Sequence, residues 1–137
     1  MNSPARLLPH MRQLSWAIAC TLWILALMRV NQAYAQDPPG AQLFQQKCVA
    51  CHSLSPNVNG VAPSLFDIVG RQAASRDFPY SAALKAKAQQ GLIWTEPTLK
   101  SWILEPAEFV PGTSMGFPGM RSSADADALI LFLKGNP

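Results

Sequence analysis

Apolar positions along the chain fall into one uninterrupted run and several short clusters at helical spacing. The run, Leu14 to Met28, carries no charge and follows the basic start Arg6, His10 and Arg12. Beyond it, Leu43 and Phe44 belong to a helix predicted from Gly40 to Cys51. Pro38 and Pro39 restrict the backbone before them, so this helix begins only afterwards. Gly40 and Phe44 are spaced i and i+4 and share a face. Residues 53–64, rich in Ser, Pro, Asn and Gly, predict a loop. Leu65 to Val69 predicts one helical turn ahead of Gly70-Arg71, and Ser75 to Tyr80 is irregular. Ser81 caps a helix through Ala82, Leu84 and Ala88 that ends at Gly91. Thr95 caps another, with Pro97 in its tolerated first turn and Leu99, Trp102 and Ile103 inward; Pro106 stops it. After a loop from Val110 to Gly119, Ser122 or Ser123 caps the last helix. Asp125 and Asp127 favour its first turn, and Leu129, Ile130, Phe132 and Leu133 form its apolar side. No segment alternates with period two and no repeat appears. The pattern predicts an all-α fold of short helices and sizeable loops. Loops that long need something to pack on.

The first apolar run reads as a targeting segment. It is short for a membrane span, which takes about 20 apolar residues, and Arg29 interrupts it. Ala33-Tyr34-Ala35 fits a small-x-small cleavage site. The expected organisation is a cleavable signal peptide over 1–35 and a single domain over 36–137, with a membrane anchor as the alternative if cleavage fails. Cleavage changes the charge. The formal net charge of +3 rests on Arg6, Arg12 and Arg29, because the remaining Lys and Arg equal the acids in number. A near-neutral exported domain gives no support to nucleic-acid binding.

Cys48-Val49-Ala50-Cys51-His52 is a C-x-x-C-H sequence, the attachment signal for a c-type haem. Two thiols three positions apart on a helical turn share a face and add to the two vinyl groups on one edge of a porphyrin. The next residue supplies an imidazole to the iron. A disulfide, half a zinc site and a thioredoxin-like pair are the competing readings. Zinc needs two more ligands, and the other cysteine and histidine, Cys20 and His10, lie in the segment expected to be removed. No βαβ pattern surrounds the motif. A haem also gives the loops their packing partner, so the chain without it is expected to be largely unfolded.

His52 is the only histidine after cleavage, which excludes bis-histidine ligation within the chain. Met115 and Met120 remain as sixth ligands. Met115 is the better candidate, since its loop follows a helix and a Pro-Gly turn. Met120 reads as core or rim packing. Thioether ligation favours ferrous iron. Six ligands leave no open position, which points to electron transfer over oxygen or peroxide chemistry.

With these features in order, the chain resembles class I cytochrome c, near the mitochondrial and photosynthetic-bacterial type. The resemblance runs from Gly40 to Lys134 and includes the haem motif, Trp94, the sequence Pro111-Gly112-Thr113-Ser114-Met115 and the final helix. It implies that Gly40 and Phe44 cross the last helix at Leu129 and Phe132. It implies that the Pro63 carbonyl accepts the imidazole N–H of His52, that Trp94 and Arg71 hold a haem propionate, and that Thr113 lies beside the buried one. Tyr80 falls in the segment lining the lower rim of the haem. Trp102 stands where the family often has a tyrosine that donates to the methionine sulfur, and an indole has a different reach. Ala107, Glu108 and Ser114 occupy positions where mitochondrial proteins usually have lysine.

The function these features imply is a periplasmic, monomeric, single-haem electron carrier without enzymatic activity. Its expected partners are periplasmic or membrane-bound redox proteins, met through the haem edge near Cys48 and Cys51. The rivals are a haem subunit held in a periplasmic dehydrogenase, and a haem peroxidase or gas sensor, which requires a labile sixth position.

Overall fold

Hydroxyl caps open three of the helices. The computed structural model describes residues 37–135. Among these, the helices are α1 (Pro39–Lys47), α2 (Ala82–Gln89), α3 (Glu96–Leu104), α4 (Pro106–Phe109) and α5 (Ser123–Lys134). Ser81 Oγ accepts from the Leu84 N–H (3.2 Å), Thr95 Oγ1 from Thr98 (3.3 Å) and Ser122 Oγ from Asp125 (3.1 Å). Each satisfies one of the four orphan donors at a helix start. The fold is all-α, as the apolar pattern predicts. Pairing outside the helices, among the described residues, is an isolated antiparallel bridge between Gln72 and Ile93. The expected signal peptide and its cleavage site lie outside the described residues. No helix among the described residues is long and apolar enough to cross a membrane.

The core forms where α1 and α3 pack on α5. Phe44 of α1 meets Phe132 of α5 with ring centroids 5.9 Å apart. Gly40 lets the two helices touch. A Cβ there would collide with the Ala128 carbonyl oxygen and lie 2.5 Å from Phe132 Cβ. The crossing therefore involves Phe132 as expected, and the glycine itself faces Ala128, next to Leu129. Two exposed ion pairs, Lys100–Asp127 (2.7 Å) and Lys134–Glu96 (2.6 Å), show that α3 and α5 run antiparallel. Such pairs contribute only about 0–1 kcal/mol each. Burial of Leu129, Ile130 and Leu133 against Leu99, Trp102 and Ile103 carries more.

The first helix, the segment from Leu65 to Val69 and the stretch after Pro106 differ from the sequence expectation. The first helix starts at Pro39, which takes the N-terminal position where a missing N–H is harmless. It ends at Lys47 rather than Cys51, because the Val49 N–H bonds to the Phe44 carbonyl, five residues back (3.0 Å), and breaks the i→i−4 ladder. The two cysteines thus occupy a tight turn. Leu65 to Val69 is not helical, since Asp67 adopts φ +52°. Pro106 follows the end of α3 but also opens α4, again at a helix start.

Candidate functional site

The turn at Cys48 is closed by its own carbonyl, which accepts from the Cys51 N–H (3.0 Å) and the His52 N–H (2.9 Å). The following loop then folds back on it. Cys51 O accepts from Ala62 N–H and Ser53 O from Leu65 N–H, both at 2.9 Å. Gly60 permits this return, because a Cβ there would lie 2.5 Å from the Cys51 carbonyl oxygen. Ser64 is fully buried, with its hydroxyl donating to Ser55 O (2.7 Å) and its N–H to Asn59 Oδ1 (3.0 Å). Pinned this way, the loop presents the Pro63 carbonyl to His52 Nδ1 at 2.7 Å. A carbonyl only accepts, so Nδ1 carries the proton and Nε2 keeps its lone pair for a metal. Burial lowers the His52 pKa, and the Pro63 bond opposes that only in part, which keeps the ring neutral at pH 7. Burial, with Cys51 adding to it, pushes the Cys48 thiol up to about 11.

A cleft of about 490 Å³ opens beside this turn. All ten residues singled out from the sequence line it: Cys48, Cys51, His52, Pro63, Arg71, Tyr80, Trp94, Trp102, Thr113 and Met115. The sequence reading did not single out Val61, Leu65, Ile68 or Phe78, which also line it. Their apolar character is visible in the sequence, but no periodicity marks which way an irregular loop turns them. Helical spacing does mark Leu84, Leu99, Ile103, Leu129 and Leu133, which complete the wall.

Arg71 and Trp94 are brought together by the backbone. Trp94 N–H donates to Arg71 O, and Gly70 N–H to Trp94 O, both at 2.8 Å. The Arg71 guanidinium donates from Nη1 to Phe66 O (2.6 Å) and from Nη2 to Ser64 O (3.0 Å). Its pKa is lowered first by burial and then by the like charge of Arg76. Trp94 and Trp102 lie 5.5 Å apart at 45°, and Phe109 meets Trp102 edge-on at 6.3 Å. Neither indole N–H has a protein acceptor among the described residues, so both remain available on cleft-lining side chains. Burial raises the Tyr80 pKa, against the nearby positive charges of Arg71 and Arg76.

The loop carrying Met115 is held at both ends. Val110 is buried and its carbonyl accepts from Thr113 N–H (3.0 Å). Thr113 Oγ1 accepts from Met115 N–H (3.2 Å). At the far end Met120 is buried, and its N–H donates to Ile103 O (2.9 Å). Met115 lines the cleft; Met120 lies outside it, on a neighbouring groove with Glu105 and Glu108.

These residues suit a c-type haem: an apolar slot, two adjacent thiols at its wall, a histidine with Nε2 free and a thioether on a fixed loop. The donor set also tells against zinc, since no group of three or more His, Cys, Asp or Glu gathers among the described residues.

Comparison with known proteins agrees. The sequence matches the cytochrome c family over residues 38–136. It is 43% identical over 101 residues to cytochrome c2 of Rhodoblastus acidophilus, covering 72% of this chain and 92% of that one. It is 36% identical over 100 residues to cytochrome c of Theileria annulata, covering 72% of this chain and 84% of that one. Cytochrome cH from Methylobacterium extorquens superposes with a TM-score of 0.64 at 37% identity, covering 73% of this chain and 99% of that one. The chain belongs to the cytochrome c family, whose members are single-haem electron carriers and not enzymes.

Proposed function

We propose that this chain is a periplasmic one-electron carrier with haem c bound through Cys48 and Cys51 and its iron held between His52 and Met115. The observation that carries the reading is the convergence of all ten residues on one apolar cleft, with His52 Nε2 free. When bound there, the haem supplies a one-electron change at iron. The chain's own residues set the terms of that change. His52 stays neutral and aimed because Pro63 fixes its ring. Met115 offers a soft sulfur that favours ferrous iron and raises the potential. The leucines, isoleucines and indoles give the cleft an apolar lining that excludes water, and the hydrogen-bonded loops hold the donor atoms in place. Trp94, Arg71 and Thr113 supply donors for the carboxylate side chains of the haem. Export rests on the signal-like segment 1–35, and the partners are redox proteins that meet the cleft mouth.

The test is the protein purified from its host. Its intact mass should equal the chain beginning at Gln36 plus one haem, and acid-acetone should leave the haem attached. A secreted chain with a Cys48–Cys51 disulfide and no haem overturns the proposal. A mass that includes residues 1–35 corrects the localisation to a membrane anchor.

A further inference from the structure

Two guanidinium groups converge on one carbonyl oxygen beside the cleft. Phe66 O accepts from Arg71 Nη1 at 2.6 Å and from Arg76 Nη2 at 2.8 Å. Arg76 Nη1 also donates to Asn57 Oδ1 (2.8 Å), and its Cζ lies 5.9 Å from the centre of the Phe66 ring. Its Nε is buried without a partner. Among the described residues the ion pairs are Lys100–Asp127 and Lys134–Glu96, so neither arginine has a direct acidic partner. Asp67 acts on Arg71 only as the weakest of the influences on its charge. Arg71 lines the cleft and Arg76 does not, so Arg76 stands behind it. Like charges this close repel, and the shared Phe66 carbonyl, the Ser64 and Asn57 oxygens and the Phe66 ring offset that repulsion, so both cations are held beside the cleft.

We infer that Arg76 is a positioning residue for the redox site, which braces Arg71 through the shared Phe66 carbonyl and adds a second fixed positive charge that favours ferrous iron. The inference rests on haem occupying this cleft. Oxidation adds one positive charge at iron, so a fixed cation nearby opposes it and raises the midpoint potential. Partial burial shields that interaction from salt. Bracing and charge are separable. Arg76→Lys keeps the charge and loses the planar fork that reaches both Phe66 and Asn57, whereas Arg76→Gln loses both.

The experiment is a redox titration of the haem-bearing protein as purified, with haem content confirmed by mass. Arg76→Gln should shift the midpoint potential downward, and Arg76→Lys should keep it near wild type while lowering the unfolding midpoint. A purely structural Arg76 gives equal potentials in both variants and moves only the unfolding midpoint, which overturns the inference. If Arg76→Gln does not accumulate, Asn57→Asp decides. It places a carboxylate beside Arg76 at a residue whose φ of +56° aspartate tolerates, and it should lower the potential. An unchanged potential in Asn57→Asp overturns the inference too. Unmoved potentials in haem-bearing variants leave the proposed function standing; a wild-type protein without haem removes both.

Discussion

Met115 and Met120 are five residues apart and do different work. Met115 sits on a loop fixed by the Thr113 hydroxyl and lines the cleft; Met120 is buried and ties the end of that loop to Ile103. Met115→Ala should abolish the weak near-infrared sulfur-to-iron absorption band and lower the potential, because it removes the proposed thioether ligand, which favours ferrous iron. Met120→Ala should keep the band and lower stability by about 2–5 kcal/mol, the usual range for truncating a buried methionine. Spectra and denaturant titrations of the two variants check this, and a band lost only in Met120→Ala moves the ligand. Elimination after cleavage made both methionines legible in the sequence, since few soft ligands remained. The His52–Pro63 bond was legible only through family resemblance. Its physical basis, the buried Ser64 and the glycine that lets the loop return to Cys51, depends on contacts between residues several positions apart. Arg76 was not singled out, because nothing local distinguishes it from a solvated arginine until the Phe66 carbonyl brings it to Arg71.

The helix crossing is the most sensitive contact between elements. Gly40→Ala puts a methyl into the Ala128 carbonyl oxygen, so α1 must move off α5. Overpacking of this kind costs about 1–3 kcal/mol, occasionally more. Because α1 leads directly into the Cys48 turn, the displacement also reaches the two thiols. The unfolding midpoint of Gly40→Ala should fall while its haem content stays at one per chain; an unchanged midpoint refutes the tight crossing. Element starts were legible wherever a hydroxyl precedes an apolar cluster, and Ser81, Thr95 and Ser122 all cap the helices they were expected to cap. Ends were harder to read. The overrun from Lys47 to Cys51 arose because helical spacing of the thiols is also satisfied by a tight turn. The turn expected at Leu65 to Val69 failed for another reason: Leu65 and Ile68 are apolar because they face the cleft, not because they share a helix face. A ligand-lined loop imitates a short helix in its composition, and the positive φ at Asp67 leaves no mark in the apolar pattern.

At the scale of the whole molecule, the surface around the cleft mouth is the docking face that the proposed function requires. Val61 lines the cleft and is 80% exposed, while Val49, between the two cysteines, is 46% exposed. Pro118 is exposed and lines both the cleft and the neighbouring groove. Phe117 lines the cleft as well, while Met120 is buried, which leaves Val61 and Pro118 as the exposed apolar residues of the lining. Charge around the mouth is mixed. Lys47 and Arg71 line the cleft, and Glu105 and Glu108 line the adjoining groove, where a hydrogen bond and the charge of Glu108 raise the Glu105 pKa. Electrostatic steering needs a patch of one sign, and its signature is an association rate that falls steeply with salt. Charges of both signs around one mouth offer a partner little net field beyond a Debye length of about 8 Å at 0.15 M salt. Small transient redox interfaces can rest on an apolar patch instead. The expected behaviour is therefore an electron-transfer rate with the native partner that changes little between low and physiological salt. Val61→Asp should slow it at every salt concentration, because it places a charge in the apolar contact. Stopped-flow measurement across that range checks both, and a tenfold or greater fall for the wild-type protein establishes a charged docking face in place of the apolar one.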